Sequence, residues 1–202
     1  MRNWRRPTPP WELSRRSTIG PWPLHNTGQY DKALKQLQKV LDLYPKDAGL
    51  LSYWHAIRAD AFLERGLERE AAEEYIESEA AGCDWCLGGT PEAIAALKAA
   101  YQTSGLRGYW ENSLQLQEEK YRTESEKAKA EGKYVTILPL ARLYARLGYT
   151  DKAFAALEFG VQKRDENMLF IKPESIRSSS PWASIRSDPR FADLLRRMGL
   201  DR

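Results

Sequence analysis

The chain has 202 residues, of which 42% are hydrophobic and 29% charged, and its formal net charge is +3 at pH 7. This composition is that of an ordinary globular protein with a sizeable core, and no apolar run is long enough to cross a bilayer. The N-terminus lacks a continuous apolar stretch followed by a small-residue cleavage site. The sequence therefore predicts a cytoplasmic protein without a membrane partner.

Residues 1–27 are rich in proline and arginine and show no apolar period. Five arginines and one glutamate give them a charge of +4, so the rest of the chain carries −1. Proline supplies no backbone donor and blocks helix interiors, so we predict a disordered tail. A dedicated nucleic-acid binder spreads its basic charge over the folded body, and nucleic acid is therefore not an expected partner. Pro7-Thr8-Pro9-Pro10 fits a loose PxxP ligand, a match that is common by chance.

From residue 28 onward the sequence predicts one all-α domain, residues 28–202. Apolar residues recur three and four apart, and glycine or proline separates the segments. Thr90 precedes Pro91 and Glu92, which together mark a capped helix start. No segment alternates apolar and polar residues as a strand would. The predicted helices cover about residues 29–44, 48–64, 68–81, 91–105, 108–130, 135–147, 151–163 and 189–198.

One spacing occurs three times in this domain: a glycine, an alanine five residues later, and a bulky apolar residue four further on. We expect each glycine to end one helix and each alanine to lie where the next helix crosses its neighbour closely. Repetition of such a helix–turn–helix unit is the mark of a helical solenoid. The three copies are Gly28-Ala33-Leu37, Gly66-Ala71-Tyr75 and Gly148-Ala153-Leu157.

These residues resemble the tetratricopeptide repeat, in which an apolar residue beside a small one is followed by an aromatic, an alanine, a large apolar residue and a terminal proline. The resemblance implies a right-handed superhelix of helix pairs, closed by a short C-terminal capping helix, that binds another protein without performing chemistry. The best match is formed by Leu140-Ala141, Tyr144, Ala153 and Leu157. A second match is formed by Ala59, Phe62, Ala71 and Tyr75, and half of a repeat by Ala33, Leu37 and Pro45.

The pattern departs from regular repeats in three places. Ala33 and Ala71 are 38 residues apart and Ala71 and Ala153 are 82 apart, whereas the usual period is about 34. The first helix of the first repeat is also missing, and the proline-rich tail stands in its place.

The C-terminal part of the chain carries a further resemblance. The stretches 187–200 and 147–154, with Gly108-Tyr109-Trp110, resemble the end of bacterial tetratricopeptide proteins, in which the repeats often follow a winged-helix regulator or a serine/threonine kinase. This chain contains neither effector domain, so the resemblance does not extend to their activities.

The first helix of each pair is expected to line the inner groove of such a solenoid. This face is either a solvated mixed-charge surface or a place where a peptide or partner helix lies. Lysine and asparagine, which some repeats of this type use to clamp a C-terminal carboxylate, are replaced here by Ala56 and Asp60, so binding of a chaperone tail is not expected. The predicted groove residues are Tyr53, Ala56, Asp60 and Glu64, followed by Val135, Leu138, Arg142 and Arg146.

No arrangement of residues predicts catalysis, a metal or a cofactor. Cys83 and Cys86 form a single CxxC, which lacks the further ligands of a zinc site and the βαβ setting of a redox motif. The glycines of Leu87-Gly88-Gly89-Thr90 lack the Lys-Ser/Thr end of a phosphate loop and predict a tight turn. His55 beside Trp54 is interpreted as a half-buried structural residue, and His25 lies in the tail.

The sequence also predicts how the two ends of the repeat array are exposed or covered. Because the first helix lacks its pair, we expect Leu37, Val40 and Leu41 to expose an apolar strip that supports self-association at the N-terminal edge. At the other end, the final helix is expected to cover the apolar face of the last pair. Its covering residues are Phe191, Leu194, Leu195 and Met198.

The sequence as a whole predicts a non-catalytic module of tetratricopeptide type that binds a protein or peptide in its groove or at its exposed edge. The alternative is the C-terminal regulatory or sensory segment of a bacterial transcription regulator or kinase that lacks its effector domain.

Overall fold

The computed structural model of the chain describes residues 24–25, 27–82, 87, 89–171 and 180–201. Within these ranges it is all-helical and contains no β-strand, which confirms the all-α prediction. None of the helices within them is both long and apolar enough to span a membrane. Of the predicted disordered tail, residues 1–27, positions 1–23 and 26 lie outside the described residues, as does the pair Cys83 and Cys86, whereas Leu24 and His25 are helical. The helices are α1 (Tyr30–Leu43), α2 (Ala48–Glu64), α3 (Glu68–Ala80), α4 (Pro91–Ala130), α5 (Leu138–Arg146), α6 (Thr150–Gln162) and α7 (Pro189–Arg197), with a 3₁₀ helix at Glu166–Ile171.

The fourth helix is broken at Ser104 and Gly105, where the sequence predicts a boundary. Ser104 has φ −139° and Gly105 has φ 61° and ψ −153°, neither of which is helical. A Cβ added to Gly108 would lie only 2.4 Å from the carbonyl oxygen of Ala100, whereas eight residues of continuous helix span about 12 Å. The two arms, residues 91–103 and 106–130, therefore fold back on each other, and Gly108 permits their close contact.

The three copies of the glycine–alanine spacing form the same turn. The glycines have φ between 73° and 75°, and the next helix begins two residues later in every copy. In each copy the glycine N–H donates to the carbonyl three residues back, and the following N–H donates to the carbonyl five residues before it. This is the pairing of a Schellman motif. The alanines five residues after the glycines are 0% exposed, as a place between packed helices requires; they are Ala33, Ala71 and Ala153.

The turn at Gly28 ends a helical segment that the sequence predicted to be missing. Leu24 and His25 are helical, and their carbonyl groups accept the bonds from Gln29 and Gly28 that complete the motif. Leu24 packs against the α1–α2 core, and His25 is buried. Two helical residues therefore precede the Gly28 turn, and the packed body starts before residue 28.

The helices pack mainly against their neighbours in chain order. The main contacts join α1 to α2, α2 to α3, α3 to α4, α4 to α5 and α5 to α6, and α6 also contacts α7 and the 3₁₀ helix. The predicted apolar strip at the N-terminal edge is wrong. Leu37 and Leu41 are 1% and 7% exposed because they pack against Leu50 and Ile57 of α2, and Val40 is half-buried in the same cluster.

The helix α5 starts at Leu138, three residues later than predicted. Pro139 lies in its first turn, where a residue without an N–H is tolerated. The preceding residues are held differently, because the Thr136 hydroxyl donates to Oδ2 of Asp165 at 2.6 Å and also accepts from the Leu138 N–H at 3.3 Å. This carboxylate, at the end of the turn after α6, thus fixes the entry into α5.

The helix α7 covers the end of the last pair, as predicted. Its residues Phe191, Leu194 and Leu195 are buried in one core cluster with α5 and α6, and Met198 packs against that cluster. Arg190 holds the start of α7 to α6. Its guanidinium carbon lies 4.2 Å from the centre of the Phe154 ring, and its Nη1 donates to Oδ1 of Asp151 at 2.9 Å.

Candidate functional site

A buried carboxylate lies on α2, within the face that the sequence predicts to line the groove. The helix starts at a capped end, because the Asp47 side chain accepts a hydrogen bond from the Leu50 N–H at 2.9 Å. Three turns later Asp60 stands between Ala59 and Ala61, and all three are buried. A carboxylate in such surroundings requires charged or hydrogen-bonding partners.

Two side chains from other segments hydrogen bond to Asp60. Its Oδ2 lies 2.8 Å from Nε2 of His25, and the Tyr75 hydroxyl donates to Oδ1 at 2.5 Å. Since the carboxylate accepts, Nε2 of His25 carries the proton. Nδ1 of the same ring lies 3.4 Å from the Tyr53 hydroxyl. The carboxylate thus joins α2 to α3 and to the segment before α1.

A third partner comes from the last helix pair. Nη2 of Arg146, at the C-terminal end of α5, lies 3.6 Å from Oδ1 of Asp60, and its side chain is only 15% exposed. The Arg146 guanidinium carbon is also 4.5 Å from the Trp110 ring centre and 5.7 Å from that of Tyr75. The Trp110 ring in turn packs edge-on against Tyr75 and Tyr109. An arginine held between a carboxylate and aromatic faces gains from both ion pairing and cation–π attraction. We call His25, Asp60, Tyr75, Trp110 and Arg146 the Asp60 cluster.

Asp60 and Tyr75 have defined protonation states near neutral pH. Burial alone would raise the pKa of Asp60, but the His25 hydrogen bond, the positive charges of His25 and Arg146, and the Tyr75 hydroxyl outweigh it and lower the pKa from 3.8 to about 2. Burial, together with the adjacent carboxylate, raises the pKa of Tyr75 well above its usual value. Asp60 is therefore ionised and Tyr75 protonated, and the ionised carboxylate is paired with the Arg146 guanidinium in a mostly desolvated place.

The structure brings together only some of the predicted groove residues. Tyr53, Asp60 and Arg146 meet in or beside the Asp60 cluster. Glu64, at the end of α2, is exposed, while Ala56 and Arg142 are half-buried on α2 and α5. The other two predicted residues do not line this face as expected. Val135 precedes the start of α5, and Leu138 is 3% exposed inside the last core cluster.

Sequence reasoning missed three members of the Asp60 cluster. The sequence places His25 in the tail, marks Tyr75 only as a bulky core residue, and indicates no partner for Trp110. One signal for the cluster exists in the sequence: an aspartate in the apolar run of α2 requires compensation if that helix is buried. The identity of the partners depends on how α3, α4 and α5 fold around α2.

The other histidine lies outside this cluster, where α2 meets α3. Nδ1 of His55 is 2.8 Å from Oε2 of Glu74, and Nη2 of Arg58 is 2.9 Å from the other carboxylate oxygen. The His55 side chain is 25% exposed, which agrees with its interpretation as a half-buried structural residue. Among the described residues, no three or more His, Cys, Asp or Glu side chains converge as metal ligands would.

The fold and this site define an all-helical chain whose helix pairs are joined by a recurring glycine turn and tied together by a buried ion pair. Comparison of the chain with protein-family models, curated proteins and solved structures gave no match.

Proposed function

We propose that the chain is a helical-repeat solenoid of the tetratricopeptide kind that acts as a non-catalytic protein-interaction module. The observation that carries the proposal is the recurrence of one turn at Gly28, Gly66 and Gly148, each followed by a helix with a fully buried alanine at the same offset. Packing mainly between chain neighbours supports the same proposal, since solenoids are built from contacts between adjacent units.

The groove of such a module would be formed by the leading helices α2 and α5. The Asp60 cluster supports a pre-formed groove because it ties α2 to α5 through Asp60 and Arg146. Pre-formed surfaces bind peptides with a smaller loss of conformational entropy. The ion pair between these two residues balances their charges. We therefore expect exposed charged residues at the edge of the groove to recognise a partner. There Glu64 presents a carboxylate at the exposed end of α2, and a basic residue in an extended or helical peptide would complement it.

The test begins with selection of peptides from a random library on the immobilised chain. Each selected peptide is then titrated by calorimetry against the wild-type chain and against Glu64→Lys, and we expect the substitution to weaken binding about tenfold or more. Glu166→Lys is the matched control, because it makes the same charge change at an exposed position of the 3₁₀ helix and should leave binding unchanged. Failure to select any peptide, or equal loss with both substitutions, would contradict groove recognition.

A further inference from the structure

The solvent-facing stripes of α1 and α3 carry opposite charge at equivalent positions. Counted from the turn glycines, the residues four, seven and eleven positions later are Lys32, Lys35 and Lys39 on α1 and Glu70, Glu73 and Glu77 on α3. All six are exposed. At these offsets the third unit has Lys152, Ala155 and Phe159, so the complementary pattern belongs to the first two units. We call the two sets the lysine stripe and the glutamate stripe.

The two stripes do not neutralise each other within one chain. Two contacts of the stripes are local: Lys32 Nζ donates to Oε1 of Gln29 at 2.9 Å, and Glu73 pairs with Arg69 one turn before it. In the described part of the chain no salt bridge joins a lysine of one stripe to a glutamate of the other. Each stripe therefore keeps a net charge on the surface, although Arg69 offsets part of that of the glutamate stripe.

The directions of α1 and α3 make these stripes self-complementary. Each helix packs against α2 and is joined to it by a connection of three or four residues, 44–47 and 65–67, so both run opposite to α2 and parallel to each other. A two-fold axis perpendicular to α1 and α3 would place α1 of each copy antiparallel to α3 of the other. In that arrangement Lys32 faces Glu77, Lys35 faces Glu73 and Lys39 faces Glu70 of the second copy, and the same contacts occur twice.

Exposed apolar residues follow the same register. Leu43 is 74% exposed and lies four residues beyond Lys39, while Leu67 is 40% exposed and lies three residues before Glu70. Antiparallel pairing that joins Lys39 to Glu70 also brings Leu43 of one copy to Leu67 of the other. Both ends of the charged contact would therefore be closed by apolar contacts that remove these side chains from water.

We propose that two copies of this chain associate through the lysine stripe of one and the glutamate stripe of the other, in a two-fold symmetric dimer. The occupant of this surface is a second copy because both halves of the contact, charged and apolar, are present on one chain with matching spacing. Exposed ion pairs are individually weak and screened by salt, so the dimer is weak and salt-sensitive. The contact uses α1 and α3, whereas the proposed groove is formed by α2 and α5. The dimer contact is therefore independent of the proposed groove.

The test is sedimentation equilibrium of the full chain, as a concentration series in about 50 mM and about 500 mM salt. We expect dimerisation in the first condition, and a dissociation constant at least about tenfold higher in the second. The triple variants K32E/K35E/K39E and E70K/E73K/E77K should each be monomeric, because each then carries two stripes of like charge. Their equimolar mixture should restore a dimer, and so should the chain that carries all six substitutions.

The control variant is K127E/K129E/K163E, which makes the same change in net charge at exposed lysines of α4 and of the turn after α6 and should dimerise like the wild type. Circular dichroism melts establish that each variant is folded. A wild-type chain that stays monomeric in low salt overturns the proposal, as does a dimer that survives either triple reversal. Failure of the mixture to associate overturns it as well, and none of these outcomes affects peptide binding in the groove.

Discussion

The Arg146 guanidinium lies 3.6 Å from Oδ1 of Asp60, although one residue ends α5 and the other belongs to α2. Although the helices pack mainly with chain neighbours, this ion pair connects α2 to α5, which are separated in sequence by α3 and both arms of α4. It therefore couples the first helix pairs of the domain to the last.

Replacing Asp60 by asparagine should destabilise the fold by about 3–5 kcal/mol, because Arg146 then keeps a buried charge without its partner. Urea unfolding measures the change. Asp31→Asn is the control, since the Asp31 side chain is 91% exposed, and it should change the free energy of unfolding by less than about 0.5 kcal/mol.

Replacing both charges should be milder than replacing either one. In the double variant Asp60→Asn/Arg146→Met no buried charge remains unpaired, so its loss of stability should be smaller than the sum of the two single losses by about 1 kcal/mol or more. A double-mutant cycle in urea gives this coupling energy. Additive losses would show that the two side chains do not act as a pair.

The contribution of Asp60 to the free energy of unfolding should decrease as the pH falls. Its pKa is lowered from 3.8 to about 2 in the folded state, so the stabilisation is fully present above pH 3.8 and is lost as the pH falls through 2. Linkage makes the difference worth about 2 kcal/mol. The gap in unfolding free energy between wild type and Asp60→Asn, measured between pH 5 and pH 2, should therefore narrow by about that amount. A constant gap would contradict the lowered pKa.

The close contact between the two arms of α4 depends on Gly108. A methyl group there would lie 2.4 Å from the backbone carbonyl of Ala100, which cannot rotate away. Gly108→Ala should therefore destabilise the chain by about 1–3 kcal/mol through overpacking, in spite of the higher helix propensity of alanine. Thermal melts measure it, and Gln115→Ala at an exposed position of the same arm should be neutral or slightly stabilising.

The cap formed by α7 is tested at Leu194, which is 0% exposed. Its truncation to alanine should cost about 2–5 kcal/mol because the cavity lies between α7 and the last helix pair. Arg196→Ala, on the exposed side of α7, should change stability by no more than about 0.5 kcal/mol. A Leu194→Ala variant that melted like the wild type would show that α7 does not bury Leu194 against the last helix pair.

Most helix bounds could be predicted from capping residues, glycines and prolines close to them in the sequence. The bounds of α2 agree with its prediction, since Asp47 caps its start and Gly66 follows its end. The break near Gly105 was also predicted, although only the structure shows that the two arms fold back there. The late start of α5 was not predicted, because it depends on Thr136 and Asp165, which lie 29 residues apart in the sequence.

The candidate site was predictable in part. A face with Tyr53, Asp60 and Arg146 follows from helical spacing, but spacing does not show that Asp60 and Arg146 pair across several helices. The predicted exposure of Leu37 and Leu41 failed for a related reason. A helix without a sequence-defined partner on one side can still bury its apolar residues against α2.

By itself the sequence determined the all-α class, most helix bounds and the recurring glycine turn, because caps, glycines and apolar periods act over a few residues. Tertiary structure alone decided which charges are buried together, that Leu24 and His25 belong to the packed body, and that the lysine and glutamate stripes run parallel on one chain. The physical reason is the separation along the chain over which each interaction acts. Turn geometry is set by neighbouring residues, whereas desolvation and ion pairing depend on every segment that packs around a side chain.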